Sequence, residues 1–165
     1  MTESPRTSRR RALALLGAGS TAALAGCNAL GGNNAPRYET GTVGEVDGDE
    51  RSADEMASAA ALADQEANES VTPLDSLSLV DHEFVHEDDF RGPTVQGTIE
   101  NEGDDRVQLV EVRVRVYDDA DDQLGRFLDS TGDLDSGERW AFEVILFASP
   151  DEIATYDITV LGVPT

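Results

Sequence analysis

The chain has no lysine. All 12 of its basic residues are arginine, set against 34 carboxylates, for a formal charge of -22 over 165 residues. A surface of that sign repels nucleic-acid phosphates and anionic headgroups, so nucleic acid is excluded as a partner. Aromatic residues are also scarce, at 5%. High charge with few aromatics is one signature of a solvated, unfolded chain. It is also the composition of a protein adapted to high salt. At molar ionic strength the Debye length falls to roughly 3 Å, so a dense carboxylate surface repels itself little and stays hydrated. The missing lysine favours that second reading, which resembles the proteome-wide habit of halophilic archaea.

Cysteine occurs once, at Cys27, which excludes an internal disulfide framework. The apolar run from Ala12 to about Ala25 is too short and too rich in small residues for a membrane span of about 20 apolar residues. No G-x-S-x-G, H-E-x-x-H, G-x-G-x-x-G or P-loop spacing appears. Acid pairs are too abundant to mark a general acid and base. The sequence therefore reads as non-catalytic, with no cofactor expected.

What is present begins with an address. Arg6, Arg9, Arg10 and Arg11 form a basic segment ahead of the apolar run, the order of an export signal. Ser8-Arg9-Arg10-Arg11-Ala12-Leu13 resembles the twin-arginine motif S-R-R-x-F-L, with Ala12 in place of the usual Phe. That route exports folded proteins, and its arginines are read by a receptor and do not anchor the chain. Leu24-Ala25-Gly26-Cys27 resembles a lipobox, in which the thiol receives the lipid and the cysteine becomes the new N-terminus. The plainer reading is a free cysteine inside an ordinary signal, but the three elements stand in the order of a lipoprotein precursor. Residues 1–26 are thus expected to be a twin-arginine lipoprotein signal, with Cys27 holding the chain to the membrane. Four arginines and one acid, Glu3, precede Cys27, so the exported part is more acidic than the whole.

Residues 27–74 have the composition of a flexible, acidic tether. Gly, Asn, Pro and acids dominate 28–50, with no apolar period. Alanine and acids dominate 53–69, where Asp54 and Glu55 suit a helix start, so a short helix over 54–67 is expected. Asn68-Glu69-Ser70 is an N-x-S sequon, which makes Asn68 a candidate glycosylation site on an exported chain.

From 75 to 165 the texture is that of strands. Val110, Val112, Val114 and Val116 share one face at period two, with Glu111, Arg113 and Arg115 opposite. Trp140, Phe142, Val144 and Leu146 alternate likewise, and so do Tyr156, Ile158 and Val160. The segments 77–88, 95–101 and 123–128 supply further strands, and turns fall between them, one with Gly137 at a left-handed position. About six or seven short strands predict an all-β antiparallel sandwich. Roughly ninety residues without disulfides suffice for one small core.

Several positions of this region resemble the FxLYD domain family. Val95-x-Gly97-x-Ile99-x-Asn101 is similar to its V-x-G-x-v-x-N strand and turn. Val114-Arg115-Val116-Tyr117-Asp118 stands where F-x-L-Y-D would stand, with Val114 for Phe and Val116 for Leu. Leu134-Asp135-Ser136-Gly137-Glu138 resembles its L-x-x-G-E turn, with Phe142 at its following apolar position and Tyr156, Ile158 and Val160 in its closing strand. The resemblance covers about 75–162. It implies an Ig-like sandwich on secreted or surface proteins, with no established biochemical activity.

Three clusters invite a site. His82 and His86 are the only histidines, with Phe84 between them and acids around. Four residues along a strand is about 13 Å, too far for both rings to hold one ion without a kink. The plainer reading is two solvent-facing histidines at a strand end, so no metal is expected there. Asp118-Asp119-Ala120-Asp121-Asp122 invites calcium, but Ala120 takes a ligand position and no Gly or terminal Glu follows in register. An acidic turn is the ordinary surface of such a chain. Arg113 and Arg115 share a face with Glu111 and form an exposed recognition stripe or, more plainly, part of a cross-strand ion-pair ladder. Trp140 reads as core.

Together these readings predict a lipid-anchored, non-catalytic binding or interaction module on the extracellular face of the membrane. Its partner would be an exported or membrane protein. The alternatives are a small divalent-metal- or ligand-binding surface protein and a structural envelope component.

Overall fold

The computed structural model describes residues 35–44, 46 and 48–165; Arg9, Arg10 and Cys27 lie outside the described residues. Among the described residues seven strands form: β1 (Glu39–Thr42), β2 (Leu77–His86), β3 (Pro93–Asn101), β4 (Val107–Tyr117), β5 (Gln123–Leu134), β6 (Arg139–Ile145) and β7 (Thr155–Pro164). Helix α1 spans Ala53–Leu62, and a 3-10 turn spans Pro150–Glu152.

The period-two valines of β4 dictate the centre. Val110, Val112, Val114 and Val116 are fully buried. They face Val95, Ile99, Phe142 and Val144 of the opposing sheet in one hydrophobic core. Each such side chain contributes about 1.5–3 kcal/mol on burial. The sheets are β1-β7-β4-β5 and β2-β3-β6, all pairs antiparallel. This is the all-β sandwich that the alternation predicts. Taken in chain order, β2, β3 and β6 form one sheet and β4, β5 and β7 the other, the layout of an Ig-type sandwich. The position beside β7, filled in that fold by a C-terminal strand, is taken here by β1.

Strand β1 lies in the segment expected to be a flexible tether, and the structure corrects that expectation. Residues 38–44 and 48–74 form a belt around the sandwich. Glu39–Thr42 pairs with Thr155–Ile158 on the free edge of β7. At one end of the sandwich Arg51 donates to three carbonyls, Phe90 O (2.9 Å), Leu146 O (2.8 Å) and Arg91 O, and stacks over the Phe147 ring. Helix α1 follows, opened by a capping box in which Ser52 and Glu55 each accept from the other's backbone N–H. It ends at Leu62, short of the expected 67, because the next residues turn across the sheet. Gln65 donates to Asp129 (3.0 Å) on β5, Asn68 N–H donates to Glu111 (2.8 Å) on β4, and Thr72 bridges Gly162 of β7. The belt thus returns to the edge where it began. Its composition gives no apolar period because it is held by polar anchors and not by a buried stripe.

Strand β2 carries a second departure. Its register slips between Leu79 and Asp81, so Leu77 and Leu79 face the core before the bulge, and His82, Phe84 and His86 after it. The register partners His82↔Gly97 and Phe84↔Val95 place both histidines on the inward face. The expectation of solvent-facing histidines is corrected: one extra residue at Val80 flips the strand. Strand β5 runs twelve residues, twice the segment predicted, because the length of β4 templates it through Ser130, Thr131 and Gly132 despite their weak strand preference.

Candidate functional site

The two outer sheet faces differ. On the four-stranded sheet the candidate stripe of β4 is not free. Arg113 donates to Glu111, whose side chain is only 1% exposed, and to Asn68 O (2.8 Å). The pair runs along one strand. Arg115 instead forms a two-pronged pair with Asp157 across to β7, its register partner. Tyr38 lies over the Arg115 guanidinium, 3.6 Å from ring centroid to Cζ. The Asp157 hydrogen bonds hold the Arg115 charge more firmly than usual, and burial pushes the Tyr117 hydroxyl up. A cross-strand ion pair therefore exists between Arg115 and Asp157, while Glu111 and Arg113 fasten the belt. The stripe is thus engaged by the chain itself, Tyr38 stacking on Arg115 and the Asn68 carbonyl taking Arg113.

The other sheet presents a free face. Opposite the core side of β2, β3 and β6, the register sets Asp81, Thr98 and Ala141 in one row and Glu83, Gln96 and Glu143 in the next. Asp81, Glu83, Arg139 and Ala141 are exposed. Arg139 pairs with Glu100 across the strands (2.8 Å), closing the rim. The opposite end of this face is occupied by the loop after β2. There Arg91 bridges Asp89 (2.8 Å), Glu143 (2.9 Å) and Glu87 (3.4 Å), and Gln96 donates to Glu87 (2.7 Å) and Glu143 (3.0 Å). Arg91 holds the Asp89 carboxyl below the usual range. The result is a flat patch with small residues, Thr98 and Ala141, at its centre and acids around them. It can accept hydrogen bonds and opposite charge from a partner surface.

The candidate metal residues are placed otherwise. His82 Nδ1 is 2.7 Å from the Tyr156 hydroxyl inside the sandwich, with the rings edge to face. Burial pushes the Tyr156 hydroxyl up to about 12, with Glu83 adding to the effect. His86 lies with its ring against Gly48 of the belt. The two rings thus pack against different groups, and among the described residues no group of three or more His, Cys, Asp or Glu side chains is arranged to hold a metal ion. The acidic turn folds on itself: Asp118 Oδ1 accepts from Ala120 N–H (2.9 Å) and Asp122 N–H (2.8 Å), with Asp121 left-handed at φ 64°. With Leu124 and the 3-10 turn it borders an open acidic cleft of about 410 Å³. Trp140 is half-buried at the margin of the core, tilted against Phe142.

Sequence reasoning missed Arg51 and Tyr38. Neither sits in a patterned segment, and the one available signal was a lone arginine in an otherwise acidic stretch. Among the described residues no helix is long and apolar enough to cross a membrane.

No family model matches the chain, and no solved structure matches it. An uncharacterized protein of the archaeon Methanocaldococcus jannaschii is 29% identical over 86 residues, which is 51% of this chain and 63% of that protein. The match thus spans less than two thirds of that relative's length.

Proposed function

We propose that this chain is a lipid-anchored, non-catalytic interaction module of the FxLYD type, held by Cys27 on the outer face of a halophilic archaeal membrane. Its partner is an exported or membrane protein. The observation that carries this reading is the contrast between the two sheet faces: one is crossed by the chain's own belt, and the other is left open and acidic. The belt also bears on reach. Residues 28–37 are all that separate Cys27 from Tyr38, the first belt residue packed on the sandwich, and ten residues span at most roughly 35 Å. The anchor would hold the sandwich close to the bilayer, within reach of membrane-bound partners. With Asp81 and Glu83 exposed on the open face and in no ion pair among the described residues, a partner surface of arginine, lysine or hydrogen-bond donors is the complement.

The test is crosslinking on intact cells in native salt, with identification of what the tagged chain captures. A reproducible exported or membrane partner is expected. Its capture should fall at least about tenfold in an Asp81→Arg/Glu83→Arg double variant, where the charge of the patch is reversed. Glu66→Arg, a reversal on the exposed belt, should leave it unchanged. Capture of nothing above background, or equal capture by both variants, overturns the reading.

A further inference from the structure

We infer that Asn68 is an N-linked glycosylation site, presented by the belt on the solvent side of the four-stranded sheet. The inference rests on the export reading above. Asn68-Glu69-Ser70 is the only N-x-S/T sequence among the five asparagines of the chain. The structure shows what a sequence match alone does not. Both backbone groups of Asn68 are pinned, its N–H to Glu111 (2.8 Å) and its carbonyl to Arg113 (2.8 Å), so the residue has a fixed place on the folded domain. Its side-chain Oδ1 accepts from Ser70 N–H (2.8 Å). That bond turns the carboxamide so that Nδ2 has no partner among the described residues. Asn68 itself is half-buried, and its Nδ2 is not among the buried, unpaired side-chain atoms of the described structure. Glu66, Ala67, Glu69 and Ser70 are all exposed around it. A transferase that requires the acceptor nitrogen and the hydroxyl two residues on would find both on one turn of an already folded protein. That order of events suits a chain exported in the folded state.

The donor is a lipid-linked sugar phosphate. Nδ2 attacks the anomeric carbon, the carbon–oxygen bond to phosphate breaks, and the lipid phosphate leaves with the bonding pair. The Nδ2 proton passes to a base of the transferase. The product is an amide-linked glycan, with no change in oxidation state. Placed over β4 and β5, it would lie on the face the belt already crosses, away from the open acidic patch.

The test is peptide mass measurement on the full chain produced in an archaeal host that glycosylates its exported proteins. Without lysine, trypsin releases residues 52–91 as one peptide that contains the sequon. Wild type is compared with Asn68→Gln, Ser70→Ala and Ser70→Thr. The belt uses only the backbone N–H of Ser70, so the last two variants leave the turn intact. A glycan mass on 52–91 is expected in wild type and Ser70→Thr and is expected to vanish in Ser70→Ala and Asn68→Gln. An unmodified peptide on a chain whose N-terminus is a lipidated Cys27 overturns this inference alone. An unmodified peptide on a chain that keeps residues 1–26 overturns the export reading with it.

Discussion

Asn101 ties two turns together with a single side chain. It is fully buried, and its Nδ2 donates to Asp105 O (2.9 Å), Leu134 O (3.0 Å) and Asp135 O (3.2 Å), while Oδ1 accepts from Gly103 N–H (3.1 Å). The turn after β3 and the turn before β6 are thereby fixed to each other. Asn101→Ala removes these bonds and strands buried backbone groups, at a cost of about 1–3 kcal/mol. Asn101→Asp is nearly the same shape, yet it aims a carboxylate at three carbonyl oxygens. It should cost more, on the order of 3–5 kcal/mol, as an unpaired buried charge does. Urea midpoints in molar salt, with unchanged slope, should fall in the order wild type, Ala, Asp. A milder loss for Asp than for Ala would mean that the donors are not what matters. Tyr156 gives a pH dependence at the same scale. Its hydroxyl titrates near 10 when unfolded and at about 12 when folded. Native structure disfavours the phenolate, so this contribution to stability is complete below pH 10 and is lost as pH rises toward 12. Tyrosinate absorbance should show a late-titrating component that is lost in Tyr156→Phe and becomes ordinary in the urea-unfolded protein.

Strand β1 completes the sandwich at the level of elements, and a glycine admits it. Gly41 lies directly on the Tyr156 ring, where an added Cβ would overlap the ring atoms. Gly44, two residues past the strand, has open space. Gly41→Val should therefore displace β1 from β7, at about 1–3 kcal/mol. Its mark would be faster amide exchange along the Thr155–Ile158 edge. Gly44→Ala should do neither. Equal exchange in both variants would show that β1 contributes nothing to the closed edge. The same element shows where the sequence is legible. Strand β4 is plain from its valines because half-burial imposes alternation, and Gly137 at φ 74° is plain because an L side chain is strained there. Strand β1 is not, since ETGT has one inward position and a glycine fills it. Its strand state is imposed by the open edge of β7. The bulge at Val80 is equally hidden: LSLVDHEFVH alternates acceptably in either register, and only the partners on β3 decide which. The open acidic patch could not be read from the sequence at all. It exists because the belt crosses one sheet and leaves the other bare, a matter of topology that no local pattern records.

Charge acts on the molecule as a whole. Among the described residues seven ion pairs are made by five arginines, far fewer than the acids there, so most of those carboxylates have no cationic partner. The belt sharpens this, because acids such as Asp54, Glu66 and Glu69 are laid against a sandwich that is itself acidic. At 0.1 M salt the Debye length is about 10 Å, enough for neighbouring carboxylates across the belt and sheet to repel; at 1 M it is about 3 Å, and they do not. The proposed high-salt setting thus predicts a steep salt dependence. Between 0.1 M and 3 M KCl the melting temperature should rise by roughly 10 °C, equivalent to about 2–3 kcal/mol for a domain of this size. The low-salt loss should begin at the belt, which is held by polar anchors such as Arg51 and Glu111, and not at the valine core. Amide exchange at 0.1 M should accordingly rise first along the Thr155–Ile158 edge and at Asn68, while the central residues of β4 stay protected. Uniform exchange across both regions would place the salt response in the core. A flat melting temperature over the whole range would remove the high-salt reading, leaving the acidity to be explained by what the open face binds.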